Sequence, residues 1–288
     1  MIFSNEKYKV VKVFNNNVLL ATLNGKEKIL YGKGLGFGKT ANEFIPANML
    51  IEKVYTIENE ASSNQFSQLI NYVDSKIVGL CEEVIYMIGQ ELNEELNENI
   101  HISLTDHIAF TLKRLKENDE IMNPFLVETE TLYKHEFGIA RKATRLLESR
   151  LNIVIPDGEI GFITLHIHSA RNNGKLSNTI KYTRLVSSMA DCMEASLGLS
   201  IDRKSIDYAR FVIHMRFAIE RLQKGNPIKN ELLSIIKKQF ANSYKVSEKL
   251  AKLIEESLNV NVVEDEIAYL TVHVEKLKNQ SLVVDLFS

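Results

Sequence analysis

The chain has 288 residues, of which 45% are hydrophobic and 25% charged, and its formal net charge is −2. These values are typical of a globular protein and exclude a disordered or fibrous one. The two cysteines, Cys81 and Cys192, lie far apart, and the N-terminal segment carries charges where a targeting signal would be apolar. No window is long and apolar enough for a transmembrane helix. We therefore expect a cytoplasmic protein with reduced thiols and no membrane insertion.

The N-terminal segment 1–56 is predicted to form a small antiparallel β module. Four short runs with strand character are separated by Asn15-Asn16-Asn17, by the tight-turn pair Asn24-Gly25 and by a glycine-rich segment; the runs are residues 7–14, 18–23, 26–31 and 51–57. A single small sheet leaves one apolar face uncovered, and dimerisation through that face is the simplest remedy. The polar residues 58–65 are interpreted as a linker.

Charge is unevenly distributed along the chain. Residues 1–56 contain eight lysines and four glutamates, a net charge of +4, whereas the remainder carries −6. A positive module attached to a negative body could bind a polyanion while the body stays off it. Short segments also reach +4 by chance, so charge alone does not decide the function.

An internal repeat organises the rest of the chain, where apolar residues recur at helical spacing. The segment from His107 to Leu115 matches the one from His214 to Leu222, and Glu159 to Ile167 matches Glu266 to Val274 at the same offset along the chain. The repeat predicts a multidomain fold in which a small antiparallel β N-terminal module precedes two duplicated all-α helical-bundle domains. The expected boundaries are 1–57, 65–171 and 179–288.

Four of the seven histidines occupy corresponding places in the two repeats: His107, His166, His214 and His273. Each first histidine is followed seven residues later by an arginine, and each second one is preceded by a glutamate at the same distance, which places each pair on one helix face. A capping box at residues 103–106 predicts that His107 lies in the first helical turn, where anions are favoured. One such histidine would more often be a core or capping residue; four at repeated positions favour a function.

Three chemistries use such histidines. Metal binding is disfavoured because Glu275 stands where His168 would repeat, and because Ile139 replaces the second histidine of a zinc motif that begins at His135. Nucleophilic hydrolysis lacks a G-x-S-x-G motif. Reversible phosphorylation of imidazole remains, and it would add about two negative charges per site, by analogy with other phosphorylated side chains. We expect no catalytic residues, metal or cofactor.

The glycine-rich segment 32–40 invites a nucleotide-binding interpretation but fails it. Lys33 stands where a phosphate-binding loop requires its first glycine, and no clear helix follows. Lysines beside an aromatic residue better suit a nucleic acid, because amines meet phosphates and a ring stacks on an unpaired base. Lys33 and Phe37 are therefore candidate RNA contacts. The alternative is a tight loop in which Phe37 is buried.

These motifs resemble a known family. Lys12-Val-Phe-Asn-Asn-Asn-Val18 and Gly32-Lys-Gly-Leu-Gly-Phe-Gly38 resemble the RNA-binding domain of BglG/SacY/LicT-type transcription antiterminators. The repeated modules resemble that family's two phosphotransferase-system regulation domains, through Leu104-Thr-Asp-His107, Leu165-His166, Phe211-Val-Ile-His214 and Tyr269-Leu-Thr-Val-His273. The segments 100–107 and 123–133 look closest to the glucose-responsive branch.

The resemblance implies a sugar-responsive switch. A homodimer of the N-terminal module would bind an RNA hairpin in the leader of a sugar-uptake operon and prevent the terminator from forming. The sugar-specific permease would phosphorylate the inhibitory sites His107 and His166, and the histidine phosphocarrier protein would modify His214 and His273. The RNA-facing residues implied by the resemblance are Lys12, Asn15, Asn17, Lys33 and Phe37. Position 33 is Lys where several relatives have Arg, so the two-pronged contact of a guanidinium would be replaced by the single charge of an ammonium group.

Two rival hypotheses remain at this point. A DNA-binding regulator built on the same helical modules would need a helix-turn-helix, whereas the N-terminal segment is predicted to form strands. A histidine-ligated metal enzyme would contain stoichiometric metal that is lost on His166→Ala.

Overall fold

The computed structural model describes residues 2–3, 7–119 and 121–285. In these ranges the chain forms six strands: β1 (Ile2–Phe3), β2 (Lys9–Val13), β3 (Val18–Leu23), β4 (Lys26–Tyr31), β5 (Leu50–Ile51) and β6 (Lys53–Thr56). Eleven helices follow in the same ranges: α1 (Glu60–Tyr72), α2 (Ser75–Leu92), α3 (Ile100–Lys116), α4 (Leu126–Leu132), α5 (Lys134–Leu151), α6 (Asp157–Arg171), α7 (Leu176–Leu197), α8 (Ile206–Gln223), α9 (Leu233–Gln239), α10 (Ala241–Leu258) and α11 (Glu264–Asp285). None of these helices combines the length and apolar character needed to cross a membrane.

The N-terminal module is a four-stranded antiparallel sheet in the order β2-β3-β4-β6, and β1 pairs separately with β5. Strands β3 and β4 have the predicted bounds and pair without a register shift from Val18↔Tyr31 to Leu23↔Lys26. The turn between them holds Asn24 at φ 51° and Gly25 at φ 78°. Two successive positive φ angles match the twist of the strands, which explains why Asn-Gly predicted this hairpin correctly.

Both faces of the sheet are buried. Alternate residues of β3 point to opposite faces, so Leu19 and Ala21 join one apolar cluster within the module, whereas Val18 and Leu20 join another. The second cluster includes residues of α1, of α2 and of the turn between them: Phe66, Leu69, Ile70, Val73 and Val78. These helices cover the face for which the sequence suggested dimerisation.

The expected linker at 58–65 is mostly helical. Helix α1 begins at Glu60 because the Asn59 side chain accepts a hydrogen bond from the backbone N–H of Ser62 at 3.1 Å. Phe66 and Leu69, further along the helix, are 1% and 2% exposed and anchor it on the sheet. The polar composition of 58–65 therefore reflects a helix start and not a loose connection.

The helical repeat is confirmed in the structure. Helices α4 and α9, and likewise α5 and α10, begin and end at the same offset that separates His107 from His214. Asn152 and Asn259, which follow α5 and α10, have φ angles of 52° and 53°, the left-handed conformation common after a helix C-terminus. The predicted fold class, a small antiparallel β module followed by helical domains, is therefore correct.

The chain divides into two compact units. The first contains residues 1–123 and 135–176, and the second contains 124–134 and 177–288. Helix α4 thus belongs to the second unit, where it packs on α8. There the carboxylate of Glu128 accepts a hydrogen bond from Tyr208 and pairs with Nη1 of Arg203 at 3.0 Å. A buried acid held by a cation and a phenol fixes α4 in this unit.

The position of His107 differs from the prediction. Helix α3 begins at Ile100, so His107 lies in its third turn and not in its first. The helix starts earlier because Ile100 and Leu104 extend the buried stripe toward the N-terminus, and because the backbone N–H groups of residues 102 and 103 bond to the carbonyl of Asn99. The sequence at 103–106 resembles a capping box but lies inside the helix.

Candidate nucleic-acid interface and histidine sites

The asparagine turn and the glycine-rich loop form one surface feature. The N–H of Gly32 donates to the carbonyl of Asn17 at 3.0 Å, and the N–H of Gly34 donates to its side-chain oxygen at 3.0 Å. The N–H of Gly36 bonds to the carbonyl of Asn16 at 2.9 Å. A Cβ at position 36 would lie 2.2 Å from the Asn15 carbonyl, so only glycine fits there. Two motifs that are separate in the sequence are thus joined by backbone hydrogen bonds.

This loop presents Lys33 and Phe37 to solvent. Phe37 is 73% exposed, so the alternative in which it is buried is wrong. Leu35, between them, is fully buried and anchors the loop to the module's core. The Lys33 side chain is exposed, and its backbone N–H donates to Oε1 of Glu52 at 2.9 Å. An aromatic ring and an amine on a fixed loop suit a base and a phosphate.

The other three predicted RNA residues contact the first two helices. Nδ2 of Asn15 and Nδ2 of Asn17 both donate to Oε1 of Glu83 on α2, at 2.9 and 3.0 Å. Nζ of Lys12 donates to the carbonyl of Ile70 on α1 at 2.6 Å. The side-chain oxygen of Asn15 also accepts from the N–H groups of residues 17 and 18, which shapes the turn. These three polar groups are satisfied within the chain.

In the first repeat the two predicted histidines are neighbours. The rings of His107 and His166 have centroids 5.0 Å apart. Nε2 of His107 is buried and lies 3.1 Å from Oε2 of Glu159, whose other oxygen pairs with Arg114 at 2.7 Å. Nδ1 of His166 lies 3.2 Å from the hydroxyl of Ser103. Packing of α3 against α6 thus brings His107, Arg114 and Glu159 together, whereas the seven-residue spacings predicted only the shared helix faces.

The second repeat has the same pair with different partners. The rings of His214 and His273 stack with centroids 4.3 Å apart. Nδ1 of His214 lies 2.8 Å from the hydroxyl of Tyr269. Arg221 holds Glu266 through two hydrogen bonds, from Nε at 2.9 Å and from Nη2 at 2.8 Å. In the second repeat the glutamate is thus bonded to arginine, and the first histidine is bonded to tyrosine.

Burial sets the protonation of the second histidine in each repeat. Desolvation, followed by the neighbouring His107, lowers the pKa of His166 to about 3. Desolvation and His214 lower the pKa of His273 to about 4. Burial opposes ionisation of Glu159, but the nearby His107 ring and the hydrogen bond from Arg114 outweigh it, so the pKa of this carboxyl lies below its usual value. His166 and His273 are therefore neutral near pH 7, and a neutral imidazole is the nucleophilic form.

Access to the four rings differs. His166 is 8% exposed, whereas His107, His214 and His273 are half-buried. His214 lines a cavity of about 440 Å³ together with the cations Arg221 and Lys224. An incoming phosphoryl group thus meets positive charge beside His214.

Two of the three histidines outside the repeated set, His168 and His101, have structural partners. Nδ1 of His168 bonds to Glu136 at 2.9 Å, and Arg171 bonds to the same carboxylate at 2.8 Å. Burial opposes ionisation of Glu136, but the bond from His168 and the nearby cations lower its pKa to about 2. His101 pairs with Glu82 at 2.6 Å in the interior. In the described ranges no cluster of three or more His, Cys, Asp or Glu side chains is arranged to hold a metal.

Sequence reasoning missed two residues at these sites. Glu83 contacts Asn15 and Asn17, which lie 68 and 66 positions away in the sequence. No local pattern signals such a contact. Tyr269 was visible as the aromatic residue that replaces Phe162 in the repeat, and the added hydroxyl was the signal for a new partner of His214.

Comparisons with known proteins match this architecture. A family model described as the CAT RNA binding domain matches residues 8–64, and one described as the PRD domain matches residues 82–170 and 187–277. A solved structure titled "Crystal structure of GlcT CAT-PRDI" shares 44% sequence identity, covers 58% of this chain and 99% of its own, and has a TM-score of 0.51. Both the β module and the helical repeats therefore have recognised relatives.

Full-length relatives cover nearly the whole chain. The PtsGHI operon antiterminator of Bacillus subtilis is 39% identical over 96% of this chain and 99% of its own. Protein GlcT of Staphylococcus epidermidis is 34% identical over 95% and 98%, and transcription antiterminator LicT of Bacillus subtilis is 32% identical over 95% and 100%. The similarity thus includes the order of the modules.

Proposed function

Because the chain belongs to the BglG family of transcription antiterminators, with a CAT RNA binding domain and two PRD domains, we propose that it binds an RNA hairpin in the leader of a sugar-uptake operon. Binding prevents an overlapping terminator from forming. Histidine phosphorylation by the phosphotransferase system sets the fraction of active protein. It is a regulator with no catalytic activity of its own, acting in the cytoplasm.

The observation that carries the RNA assignment is the joined asparagine turn and glycine loop. It holds Lys33 and Phe37 at the surface of a module with a net positive charge. Lys12, Asn15 and Asn17 complete the RNA-binding set on the same module. The phosphates supply most of the affinity, and Phe37 stacks on an unpaired base of the hairpin.

The paired histidines are the proposed phosphorylation sites. His107 and His166 receive the inhibitory phosphoryl groups from the sugar-specific permease, and His214 and His273 are modified by the histidine phosphocarrier protein. Each added phosphoryl group brings negative charge next to an arginine–glutamate pair, which changes how the helices attract one another. The burial of His166 requires local opening before a donor protein can reach it.

The functional domains are residues 1–57 for RNA binding, 65–171 for the first regulation domain and 179–288 for the second. The active form is a homodimer. The resemblance of residues 100–107 and 123–133 favours the glucose-responsive branch, in which the sensed sugar enters through its own permease.

RNA binding is tested with the full chain, by filter binding to the leader hairpin and to duplex DNA of the same sequence. We expect strong preference for the RNA hairpin. Equal affinity for the duplex would favour the alternative function, a DNA-binding regulator built on the same helical domains.

The regulatory assignment is tested by His107→Ala and His166→Ala in an antitermination reporter. Each variant should give antitermination without sugar, because the inhibitory phosphoryl group has lost its acceptor. Sugar dependence that persists in both variants would reject the inhibitory role.

A further inference from the structure

The two repeats hold their first histidine by opposite ring nitrogens. In His107 the buried Nε2 lies 3.1 Å from Oε2 of Glu159, within ion-pair distance but without hydrogen-bond geometry, and among the described residues nothing bonds to its Nδ1. In His214 it is Nδ1 that is engaged, by the hydroxyl of Tyr269 at 2.8 Å. The nitrogen that remains available to a donor is therefore Nδ1 in the first repeat and Nε2 in the second.

Two sequence differences between the repeats account for this reversal. Phe162 of the first repeat has no hydroxyl, whereas its counterpart Tyr269 does. Thr111 donates to Oε2 of Glu159 at 2.9 Å and helps to hold that oxygen beside His107, whereas the corresponding residue of the second repeat is Ala218.

The glutamate of the second repeat is held away from its histidine. Both oxygens of Glu266 accept from Arg221, and one also accepts from the backbone N–H of Ile228 at 2.9 Å. The hydrogen bonds of Glu266 are thus made to other groups, and Tyr269 takes its place as the partner of the imidazole.

Resting on the function proposed above, we propose that His107 is phosphorylated on Nδ1 and His214 on Nε2, with Glu159 and Tyr269 as the positioning residues. Each positioning residue contacts the nitrogen that does not react, Tyr269 by a hydrogen bond to Nδ1 of His214 and Glu159 by a charge contact with the buried Nε2 of His107. Neither touches the phosphoryl group, so each acts through the histidine.

The transfer balances without an added reactant. The donor that this step requires is a phosphoimidazole, such as a phosphohistidine, protonated on its second nitrogen. The lone pair of the free acceptor nitrogen forms a bond to phosphorus while the donor's P–N bond breaks, and its electron pair returns to the donor imidazole, which leaves neutral. The acceptor becomes a phosphoimidazolium whose remaining N–H donates to Glu159 or to the hydroxyl of Tyr269. A carboxylate or hydroxyl acceptor stabilises that cation.

The experiment phosphorylates the full chain with phosphorylated histidine phosphocarrier protein and with the phosphorylated permease domain. Peptide mapping locates each phosphohistidine, and antibodies specific for the two isomers identify the nitrogen. We expect the Nδ1 isomer at His107 and the Nε2 isomer at His214. Tyr269→Phe, which copies the residue of the first repeat, should keep His214 reactive but yield a mixture of isomers.

The same isomer at both histidines, or an unchanged single isomer at His214 in Tyr269→Phe, would overturn the inference. Absence of phosphorylation at both sites would instead reject the proposed function. In that case the assignment of the ring nitrogens can still be tested, because ring-nitrogen NMR of the unphosphorylated chain reports directly which nitrogen is protonated. It should be Nε2 in His107 and Nδ1 in His214, and the same nitrogen in both would contradict the assignment.

A separate observation concerns the RNA-binding module. Three of its five proposed RNA residues are engaged by α1 and α2, and the acceptor for two of them is a carboxylate, Oε1 of Glu83. A carboxylate presents the same kind of anionic oxygen as a phosphodiester, so it competes for the same amide donors. Its negative charge, which Arg150 offsets in part from 3.5 Å, also repels an approaching phosphate backbone.

Other contacts hold the module in this position. Tyr31 of β4 stacks on Tyr86 of α2 with ring centroids 4.0 Å apart. Gly79 of α2 lets Asn15 approach closely, because a Cβ at position 79 would lie 2.6 Å from its Nδ2. The contact thus depends on a close fit between the asparagine turn and α2.

We infer that this contact is autoinhibitory: the first regulation domain occupies RNA-binding donors through Glu83, and RNA binding requires its release. This inference also rests on the proposed function. The test measures hairpin affinity of the unphosphorylated full chain by fluorescence anisotropy. Glu83→Ala should bind about tenfold more tightly, since loss of a charged hydrogen-bond acceptor frees the amides.

Glu91→Ala is the matched control. Glu91 lies on the same helix and pairs with Lys142 at the surface, so the change in net charge is identical but the asparagine turn is untouched. Gly79→Ala serves as a second variant, because it displaces Asn15 while favouring the helix. Equal effects of Glu83→Ala and Glu91→Ala, or weaker binding by both Glu83→Ala and Gly79→Ala, would overturn the autoinhibitory role. If the unsubstituted chain does not bind the hairpin, the proposed function is rejected instead.

Discussion

Nη2 of Arg114 lies 2.7 Å from Oε1 of Glu159, and the two side chains are only 7% and 3% exposed. Removing Arg114 leaves the Glu159 carboxylate buried without its arginine partner, so Arg114→Met should destabilise the first unit by about 3 kcal/mol. Urea unfolding followed by circular dichroism measures the loss. Adding Glu159→Met to this variant should recover much of the stability, because the unpaired charge is then gone as well.

Arg221→Met provides the comparison. Arg221 makes the corresponding pair with Glu266 but its side chain is 26% exposed, so water compensates part of the lost interaction. The loss in the second unit should therefore be smaller. An equal or larger loss would show that burial does not control the strength of these pairs.

Phe37 should contribute to RNA affinity but not to stability. Its ring is 73% exposed, so truncation removes little packing, whereas loss of one stacked base costs about 1–3 kcal/mol of binding. Phe37→Ala should therefore weaken hairpin binding at least several-fold in an anisotropy titration, with an unchanged unfolding midpoint. Phe44→Ala is the control, since Phe44 is another exposed aromatic of the module, at 58%. Similar losses in the two variants would indicate a general surface effect.

Lys33 should contribute one phosphate contact. Lys33→Gln should weaken binding and reduce the slope of log affinity against log salt by about 1, since one fewer counterion is released. Lys26→Gln makes the same charge change in an exposed lysine at the opposite end of the β3–β4 hairpin, and it should leave the slope unchanged. A slope that falls equally in both variants would argue against a specific contact by Lys33.

Much of the fold was predictable because its signals are local or repeated. The pair Asn24-Gly25 defined a hairpin whose strands have the predicted bounds, and the constant offset between matching segments identified the helical duplication. The start of α3 was predicted wrongly, because a capping pattern around His107 is indistinguishable from ordinary polar residues inside a longer helix. The buried residues at the start of α3 decide between these two possibilities, and their burial cannot be deduced from the local sequence.

The partners of the site residues were less predictable. The spacing of seven residues correctly placed each histidine on one helix face with its arginine or glutamate, but the contact between His107 and Glu159 depends on the packing of α3 against α6. The covering of the sheet by α1 and α2, and the contact between Asn15 and Glu83, depend on packing between segments far apart in the chain. The small size of the sheet indicated that its apolar face must be covered, but it did not show which part of the chain covers it.

The buried neutral state of His166 makes the stability of the first unit depend on pH. Its pKa is lowered from 6.5 to about 3, so the folded chain binds fewer protons than the unfolded chain between these values. Stability is therefore full above pH 6.5 and falls as the pH drops below it, by about 2 kcal/mol at pH 5 from this residue. His166→Gln should lose less stability than the unsubstituted chain between pH 7.5 and pH 5 in urea unfolding. Equal losses in the two chains, or an NMR titration of the His166 ring near pH 6.5, would contradict the buried neutral imidazole.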